Sequence, residues 1–262
     1  MLNLRKCLLG STAAIFVFIE SVLFYLIHFD RSDFGFNLHY TCIICATVFT
    51  LLTLVIEIAT AKENGENAKD ILLSRSGGNL LRISMLFTLL ADYFLVVAKE
   101  INNLVGVSVF IGTQLFICLH ILANEDNKRW FVANIAVRSS LSVLIVIGAM
   151  IILGKGADLL AIVSVIYYAN LITNAIFAHR LGKSGIMLTV GLVLFALCDV
   201  NVGLADLDSL YGGFPEGSFF YNLLYSDFDL IWIFYIPSQT LIPLSLLLPG
   251  KIKNQADKKE QT

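Results

Sequence analysis

Two aspartates lie inside stretches of the chain that are apolar enough to cross a membrane. Asp92 lies in LLRISMLFTLLADYFLVVA, and Asp199 lies in GIMLTVGLVLFALCDVNVGL. A carboxylate near the middle of a membrane helix costs roughly 2.5–3.5 kcal/mol, so such residues are rare without a reason. Two buried carboxyl groups in one site tend to divide into a protonated and an ionised member, as acid–base catalysis requires. We therefore interpret the pair as a candidate catalytic centre rather than as a structural hydrogen bond between helices.

The composition specifies the elements that must position this pair. The 262 residues are 57% hydrophobic and only 15% charged, whereas a soluble domain is about 25% charged. Apolar runs of membrane-spanning length recur and do not alternate as barrel strands would, which predicts an all-α polytopic membrane helix bundle. We predict one transmembrane domain over residues 1–250 and a disordered cytoplasmic tail over 251–262. The predicted spans are Leu8–Ile27, Tyr40–Thr60, Leu80–Ala98, Leu104–Ala123, Val137–Leu153, Leu159–Phe177, Ile186–Leu204 and Leu230–Leu248.

The distribution of basic residues predicts the orientation of the bundle. With the N-terminus inside, 15 of the 18 Lys and Arg residues fall in inner segments. Only Arg31, Lys99 and Lys155 fall outside. The positive-inside rule therefore predicts that both termini are cytoplasmic, in an integral protein of the cytoplasmic membrane. The net charge of −2 gives no indication of nucleic-acid binding, so the expected partner at this point is the bilayer.

A weak internal repeat is visible. Spans three and seven each carry an aspartate late in the segment, and the spans that follow carry Phe116-x3-His120 and Tyr235-x3-Gln239. In the predicted topology these spans run in the same direction, which would make a parallel repeat of four helices. Transporters use such repeats and place their site at the repeat interface, near the midplane.

Amide side chains near the middle of the membrane are candidates for binding a substrate. Gln114 and Gln239 lie near the middle of spans four and eight. Asn170 and Asn174 lie on one face of span six, together with Ser164 and Tyr167. Such groups either line a cavity or bond helix to helix, and the sequence leaves both interpretations open. The candidate binding residues are Gln114, Asn170, Asn174, Tyr235 and Gln239.

Other polar residues have weaker claims to function. Glu57 and Arg138 lie near predicted span ends, where long side chains reach the interface. Glu20 lies deeper and has no partner evident in the sequence. His120 is nearer the cytoplasmic end than the acids.

The cysteines do not predict a disulfide framework or a metal centre. The chain has five, an odd number, mostly in apolar context. His39-x2-Cys42-x2-Cys45 has helical spacing, but no second ligand cluster accompanies it, so a packing face of small residues is the favoured interpretation. We predict no metal.

Several motifs together resemble the YhhN-type lysoplasmalogenase family. LFTLLADYFLVV and FIGTQLFICLHIL resemble two consecutive helices of that family, YYANLITNAIFAHR with GLVLFALCDVNVGL resembles a later pair, and WIFYIPSQTLIPLSL resembles the last helix. The resemblance runs from about Leu80 to Leu248, roughly two thirds of the chain. The family usually has Gly and Ser before its two aspartates, where this chain has Ala91 and Cys198.

The resemblance implies hydrolysis of the vinyl ether bond of lysoplasmalogen, in lipid metabolism. One neutral aspartate would protonate the vinyl ether, and the ionised one would stabilise the cation and orient water, as in glycosidases. This chemistry requires no metal or cofactor. The alternatives are a transporter or lipid-handling protein that uses the pair as a proton or ion relay, and a membrane protein whose polar contacts are purely structural.

Overall fold

The computed structural model describes residues 2–29, 37–63, 76–98, 103–125, 127–154, 158–226 and 228–249. The predicted tail, residues 251–262, lies outside them. The described chain is almost entirely helical and contains no strand. Its α-helices are α1 Leu2–Phe29, α2 Leu38–Glu63, α3 Ser76–Asp92, α4 Asn103–Ala123, α5 Lys128–Leu153, α6 Leu159–Ala178, α7 Lys183–Tyr211, α8 Phe219–Leu224 and α9 Leu230–Leu244.

Eight of these helices, all except the short α8, are long and apolar enough to cross a membrane within the described chain. The fold class is therefore confirmed: the protein is an all-α, multi-pass helical bundle. The polypeptide forms helices here because in lipid each backbone N–H and C=O must be satisfied within its own segment. Eight crossings return the chain to its starting side, and which side that is stays a prediction.

Two helices extend well beyond their predicted bounds. Helix α5 begins at Lys128 rather than Val137, because the side chain of Asn127 caps it by accepting a hydrogen bond from the amide of Arg129. The prediction that Arg138 lies near a span end is therefore wrong, since it lies three turns inside α5. Helix α7 continues past Leu204 to Tyr211 and ends at Gly212, whose φ of 80° favours glycine.

The two halves of the bundle share one pattern of neighbours. Helix α3 packs against α4 as α7 packs against α9, and α2 packs against α3 as α6 packs against α7. Helices α1 and α2 pair as α5 and α6 do, and the halves meet where α4 contacts α6 and α2 contacts α9. This arrangement fits a parallel repeat of four spans.

Small residues let the helices approach closely around the core. A Cβ on Gly112 would lie 2.5 Å from the Phe87 ring, and one on Gly191 would lie 2.9 Å from Ile242. These contacts join α4 to α3 and α7 to α9. The core itself contains fully buried side chains such as Leu81, Phe195 and Ile236. Helix α5 is peripheral, and Asn134 is its one buried residue.

Candidate functional site

Asp92 is the last residue of α3, at the point where the helix changes its winding. Residues Tyr93–Val97 form a π-helical segment, closed by a hydrogen bond from the Ala98 amide to the Tyr93 carbonyl at 2.8 Å. Such segments within helices are frequent at functional sites. The Asp92 side chain is buried, with 3% of its surface exposed, and accepts a hydrogen bond from the Tyr235 hydroxyl at 2.5 Å. A tyrosine hydroxyl on α9, a helix remote in sequence, therefore holds the Asp92 carboxyl group in place.

Asp199 has a similar arrangement but a more open position. It lies within α7, is only half-buried, and accepts a hydrogen bond from the Tyr167 hydroxyl of α6 at 2.7 Å. Tyr167 itself is buried. Each aspartate is thus held by a tyrosine, although the two tyrosines come from non-equivalent spans, six and eight. The helix arrangement repeats more faithfully than the site does.

Aromatic rings join the two acid–tyrosine pairs into one site. The ring of Phe195 lies 5.2 Å from Tyr235 and 6.5 Å from Tyr167, between ring centroids. Phe110 lies 5.5 Å from both Tyr167 and Phe195. The hydroxyl groups of Tyr235 and Tyr167 thereby hold Asp92 and Asp199 at one aromatic cluster. A low-dielectric enclosure strengthens every charge interaction inside it, which suits proton transfer and stabilisation of a developing cation.

Of the predicted binding residues, Tyr235 contacts an acid directly and Gln239 lies one helical turn away from it. The Gln239 side chain is buried, and its Nε2 donates to the Ser238 hydroxyl at 3.3 Å. Its Oε1 has no hydrogen-bond partner in the described part of the chain. Gln239 therefore retains a buried acceptor for a hydroxyl or water, one turn from the tyrosine that holds Asp92.

The other three predicted binding residues meet around Arg138 instead. The guanidinium group of Arg138 donates to the side-chain oxygens of Asn170 and Asn174, the latter at 2.8 Å. Asn174 donates in turn to the Gln114 side-chain oxygen at 2.9 Å. This amide–arginine cluster, formed by Arg138, Asn170, Asn174, Gln114 and Asn134, is distinct from the acid pair but adjoins it along α4 and α6.

Glu57 also differs from its prediction. Rather than reaching the interface, it is buried and forms ion pairs with Arg82 at 3.0 Å and with Arg5 at 3.2 Å. The three residues form an inner ion-pair network that joins α1, α2 and α3. Its role is structural, since each charge already has an opposite one.

The remaining polar residues have other partners. His120 is buried, and its Nδ1 lies 2.6 Å from the Gly77 carbonyl, at the beginning of α3. Glu20 is buried with 3% of its surface exposed, beside the thiol of Cys42. The ring of His39 packs 4.1 Å from that of Trp232. Within the described ranges no group of three or more His, Cys, Asp or Glu side chains could hold a metal ion.

A cavity of about 500 Å³ opens at the C-terminal end of α7. Residues of α7, α9 and the intervening segment surround it, including Asn201, Asp208, Tyr225 and Asp229. Asp208 secures this segment, because it accepts hydrogen bonds from the Phe214 amide at 2.5 Å and the Tyr225 hydroxyl at 2.9 Å. Neither Asp92 nor Asp199 lines this cavity. Asn201, which lines it, follows Asp199 by two residues on α7.

Sequence reasoning identified the acids but missed the pairing of Asp199 with Tyr167 and the walls formed by Phe110 and Phe195. Tyr167 was visible in the polar stripe of span six, yet spacing within one helix cannot specify a partner on another. Asn134 carried no signal, because it lies three residues before Val137, where its span was predicted to begin. That predicted start is wrong by about two and a half turns.

Comparisons with protein-family models, with curated proteins and with solved structures found no match to this chain.

Proposed function

We propose that the protein is a membrane-embedded, lysoplasmalogenase-like hydrolase that cleaves the vinyl ether bond of a lysolipid with Asp92 and Asp199 as its acid–base pair. One observation carries the proposal: two carboxyl groups in one aromatic enclosure, each held by a tyrosine hydroxyl at 2.5 or 2.7 Å. The resemblance of the surrounding motifs to YhhN-type enzymes supports the choice of substrate. Tyr235 and Gln239 would contact the substrate beside Asp92.

The proposed chemistry needs one proton donor and one proton acceptor. Asp92, the more buried group, donates its proton to the β-carbon of the vinyl ether, and an oxocarbenium ion forms at the carbon bonded to oxygen. Asp199, which is half-buried, takes a proton from the water that adds to this cation. Asp199 then donates that proton to the glycerol oxygen while Asp92 takes the proton of the hemiacetal hydroxyl, and the carbon–oxygen bond breaks to release a fatty aldehyde and the glycerophospho-head group. Both acids thereby regain their starting protonation states.

A lipid hydrolysis assay on the purified protein tests this proposal. The protein is given a vinyl-ether lysophospholipid, and its acyl-ester and saturated alkyl-ether counterparts serve as matched controls. We expect aldehyde release from the vinyl ether alone, since neither control can form the oxocarbenium ion by protonation at carbon. Equal turnover of the ester, or no aldehyde from the vinyl ether in reconstituted membranes, would reject the proposed activity.

The second candidate is a transporter or lipid-handling protein in which the acids relay protons or ions. Glu20 favours it, because both of its carboxyl oxygens are buried without a nitrogen or oxygen partner in the described chain, as in a proton relay. The π-helical segment after Asp92 is a second feature in its favour. Flux of protons or solute in proteoliposomes that Asp92→Asn abolishes, without any aldehyde formation, would support this function over hydrolysis.

We place the protein in the cytoplasmic membrane with both termini cytoplasmic, on the asymmetry of its basic residues. Accessibility labelling of tags at both termini tests this orientation. Tags on opposite faces, or both outside, would contradict it.

A further inference from the structure

Arg138 is a cation within a membrane helix that has only neutral partners. Its guanidinium group donates to the amide oxygens of Asn170, Asn174 and Asn134, the last at 3.4 Å. No carboxylate pairs with it among the described residues. A charge within a membrane helix is normally paired or coordinated, so these neutral partners leave the charge of Arg138 available to an anion.

Unused donors surround the same group. The Nε of Arg138, the Nε2 of Gln114 and the Nδ2 of Asn134 are all buried and have no acceptor in the described part of the chain. Gln114 and Asn134 are themselves 0% and 1% exposed. All three unused atoms are N–H donors, and buried donors are nearly always satisfied. A donor-only cluster around a guanidinium group matches a phosphate group, whose oxygens only accept.

The cluster lies next to the acids. Asn170 follows Tyr167 by three residues on α6, and Gln114 follows Phe110 by four on α4. Both steps amount to about 5 Å along a helix. In a lysophospholipid, only the glycerol backbone separates the phosphate from the vinyl ether. One molecule can therefore reach both clusters.

We propose that Arg138, Gln114 and Asn134 bind the phosphate group of a lysophospholipid whose ether bond lies at the acid pair. The inference rests on the proposed function for its choice of ligand, while the site itself rests on the uncompensated donors. The outward face of α5 gives the ligand a route from lipid, since this helix is peripheral and Arg138 is only half-buried.

Binding in detergent, measured by native mass spectrometry, tests the proposal without requiring turnover. The probes are a saturated alkyl-ether lysophosphatidylcholine, the 1-alkylglycerol of equal chain length and inorganic phosphate. The wild-type protein should bind the phospholipid at least tenfold more tightly than the alkylglycerol. Equal binding of the two lipids would overturn the proposal, and binding of inorganic phosphate without the phospholipid would overturn the lipid ligand.

Two variants identify the site. Arg138→Gln should weaken phospholipid binding about ten- to a hundredfold, as expected for loss of charge-assisted hydrogen bonds. Asn134→Asp keeps the shape of the cluster but gives Arg138 an internal carboxylate, so it should fold as well as wild type and still lose phospholipid binding. Arg129→Gln, an exposed arginine on the same helix, is the matched control and should bind normally.

The outcomes separate this inference from the proposed function. A purely structural role for Arg138 predicts that Asn134→Asp, which supplies a counter-ion, binds the phospholipid like wild type, and that result would overturn the inference. Phosphate-dependent binding that Asn134→Asp removes, in a protein that forms no aldehyde, would leave the inference standing and reject only the hydrolase. If the wild-type protein formed aldehyde from a phosphate-free vinyl-ether glycerol as fast as from the vinyl-ether lysophospholipid, only the inference would be rejected.

Discussion

Two regions of the bundle hold charges in opposite ways. In the inner ion-pair network, Glu57 lies between Arg82 and Arg5, and every charge has an opposite one within 3.2 Å. In the acid pair and the adjoining amide–arginine cluster, the charge-bearing side chains of Asp92, Asp199 and Arg138 contact only neutral hydroxyl and amide groups. In the first region opposite charges pair with each other. In the second region neutral hydroxyl and amide groups hold each charged side chain in position, without an opposite charge among the described residues.

This difference separates structural charges from functional ones without reference to any relative. A paired buried charge has its function within the fold, because removal of either partner leaves the other uncompensated. A charge fixed by neutral groups does not need to keep its charge for the fold. Substitutions in the two regions should therefore affect different measurements, stability in the ion-pair network and activity or binding in the site.

The largest expected effect is on the proposed hydrolysis. Asp92→Asn and Asp199→Asn keep the side-chain volume but remove the acid or base, so each should lower the rate of aldehyde formation about 10²–10⁴-fold. Melting temperatures should change little, because an amide oxygen still accepts the tyrosine hydrogen bond. Rate assays with parallel thermal melts check both statements.

The double variant sharpens this prediction. In the proposed mechanism the two acids act as one unit, so Asp92→Asn/Asp199→Asn should be little slower than the slower single variant. Asp206→Asn, on the same helix as Asp199 but outside the site, is the control and should stay active. Full activity in both single variants would show that the two aspartates have a structural role. The acid pair would then not differ in function from the ion-pair network.

The next largest effect is on stability, in the inner network. Arg82→Gln removes one of the two arginines that pair with Glu57. It also removes the hydrogen bonds that Arg82 donates to Asn79 at 2.8 Å and to the Thr50 carbonyl at 3.3 Å. Breaking a buried pair costs about 3–5 kcal/mol, so chemical denaturation should begin at clearly lower denaturant concentration. The fraction that stays folded should hydrolyse normally.

A paired substitution tests the cause of that loss. Arg82→Gln/Glu57→Gln removes both charges and should be less destabilising than Arg82→Gln alone, since no buried carboxylate is left uncompensated. A double variant as unstable as the sum of the single variants would show that packing, and not charge pairing, stabilises this end of the bundle.

A smaller effect is expected at the tyrosines. Tyr235→Phe and Tyr167→Phe each remove one hydrogen bond to a carboxyl group, worth about 1.5–3 kcal/mol when the acceptor is charged. The rate should fall roughly ten- to a hundredfold, with the larger fall for Tyr235→Phe because Asp92 is the more buried acid. Tyr25→Phe, on an exposed tyrosine of α1, should have no effect on rate.

The sequence predicted the bundle better than the site, for a physical reason. Membrane helices are specified locally, because each must satisfy its own backbone, so eight apolar runs sufficed to predict the fold. Asp92 and Asp199 were conspicuous for the same local reason. Their tyrosine partners, and the grouping of Asn170 and Asn174 around Arg138, depend on which helices touch, which no spacing within one helix encodes. Arg138 was misplaced because the predicted span began at Val137, whereas the helix begins nine residues earlier, after the Asn127 cap.

The smallest effect is expected at the rim of the ion-pair network. Arg5 pairs with Glu57 at 3.2 Å but is 31% exposed, whereas Glu57 is 8% exposed. Water already solvates the arginine, and ion pairs of this kind contribute about 0.2–1 kcal/mol. Arg5→Gln should therefore lower the free energy of unfolding by about 1 kcal/mol at most, and raised salt should shrink the difference from wild type. Denaturant titrations at low and high salt measure both quantities. A loss as large as that of Arg82→Gln would mean that Glu57 needs both arginines, and that the rim belongs energetically to the buried part of the network.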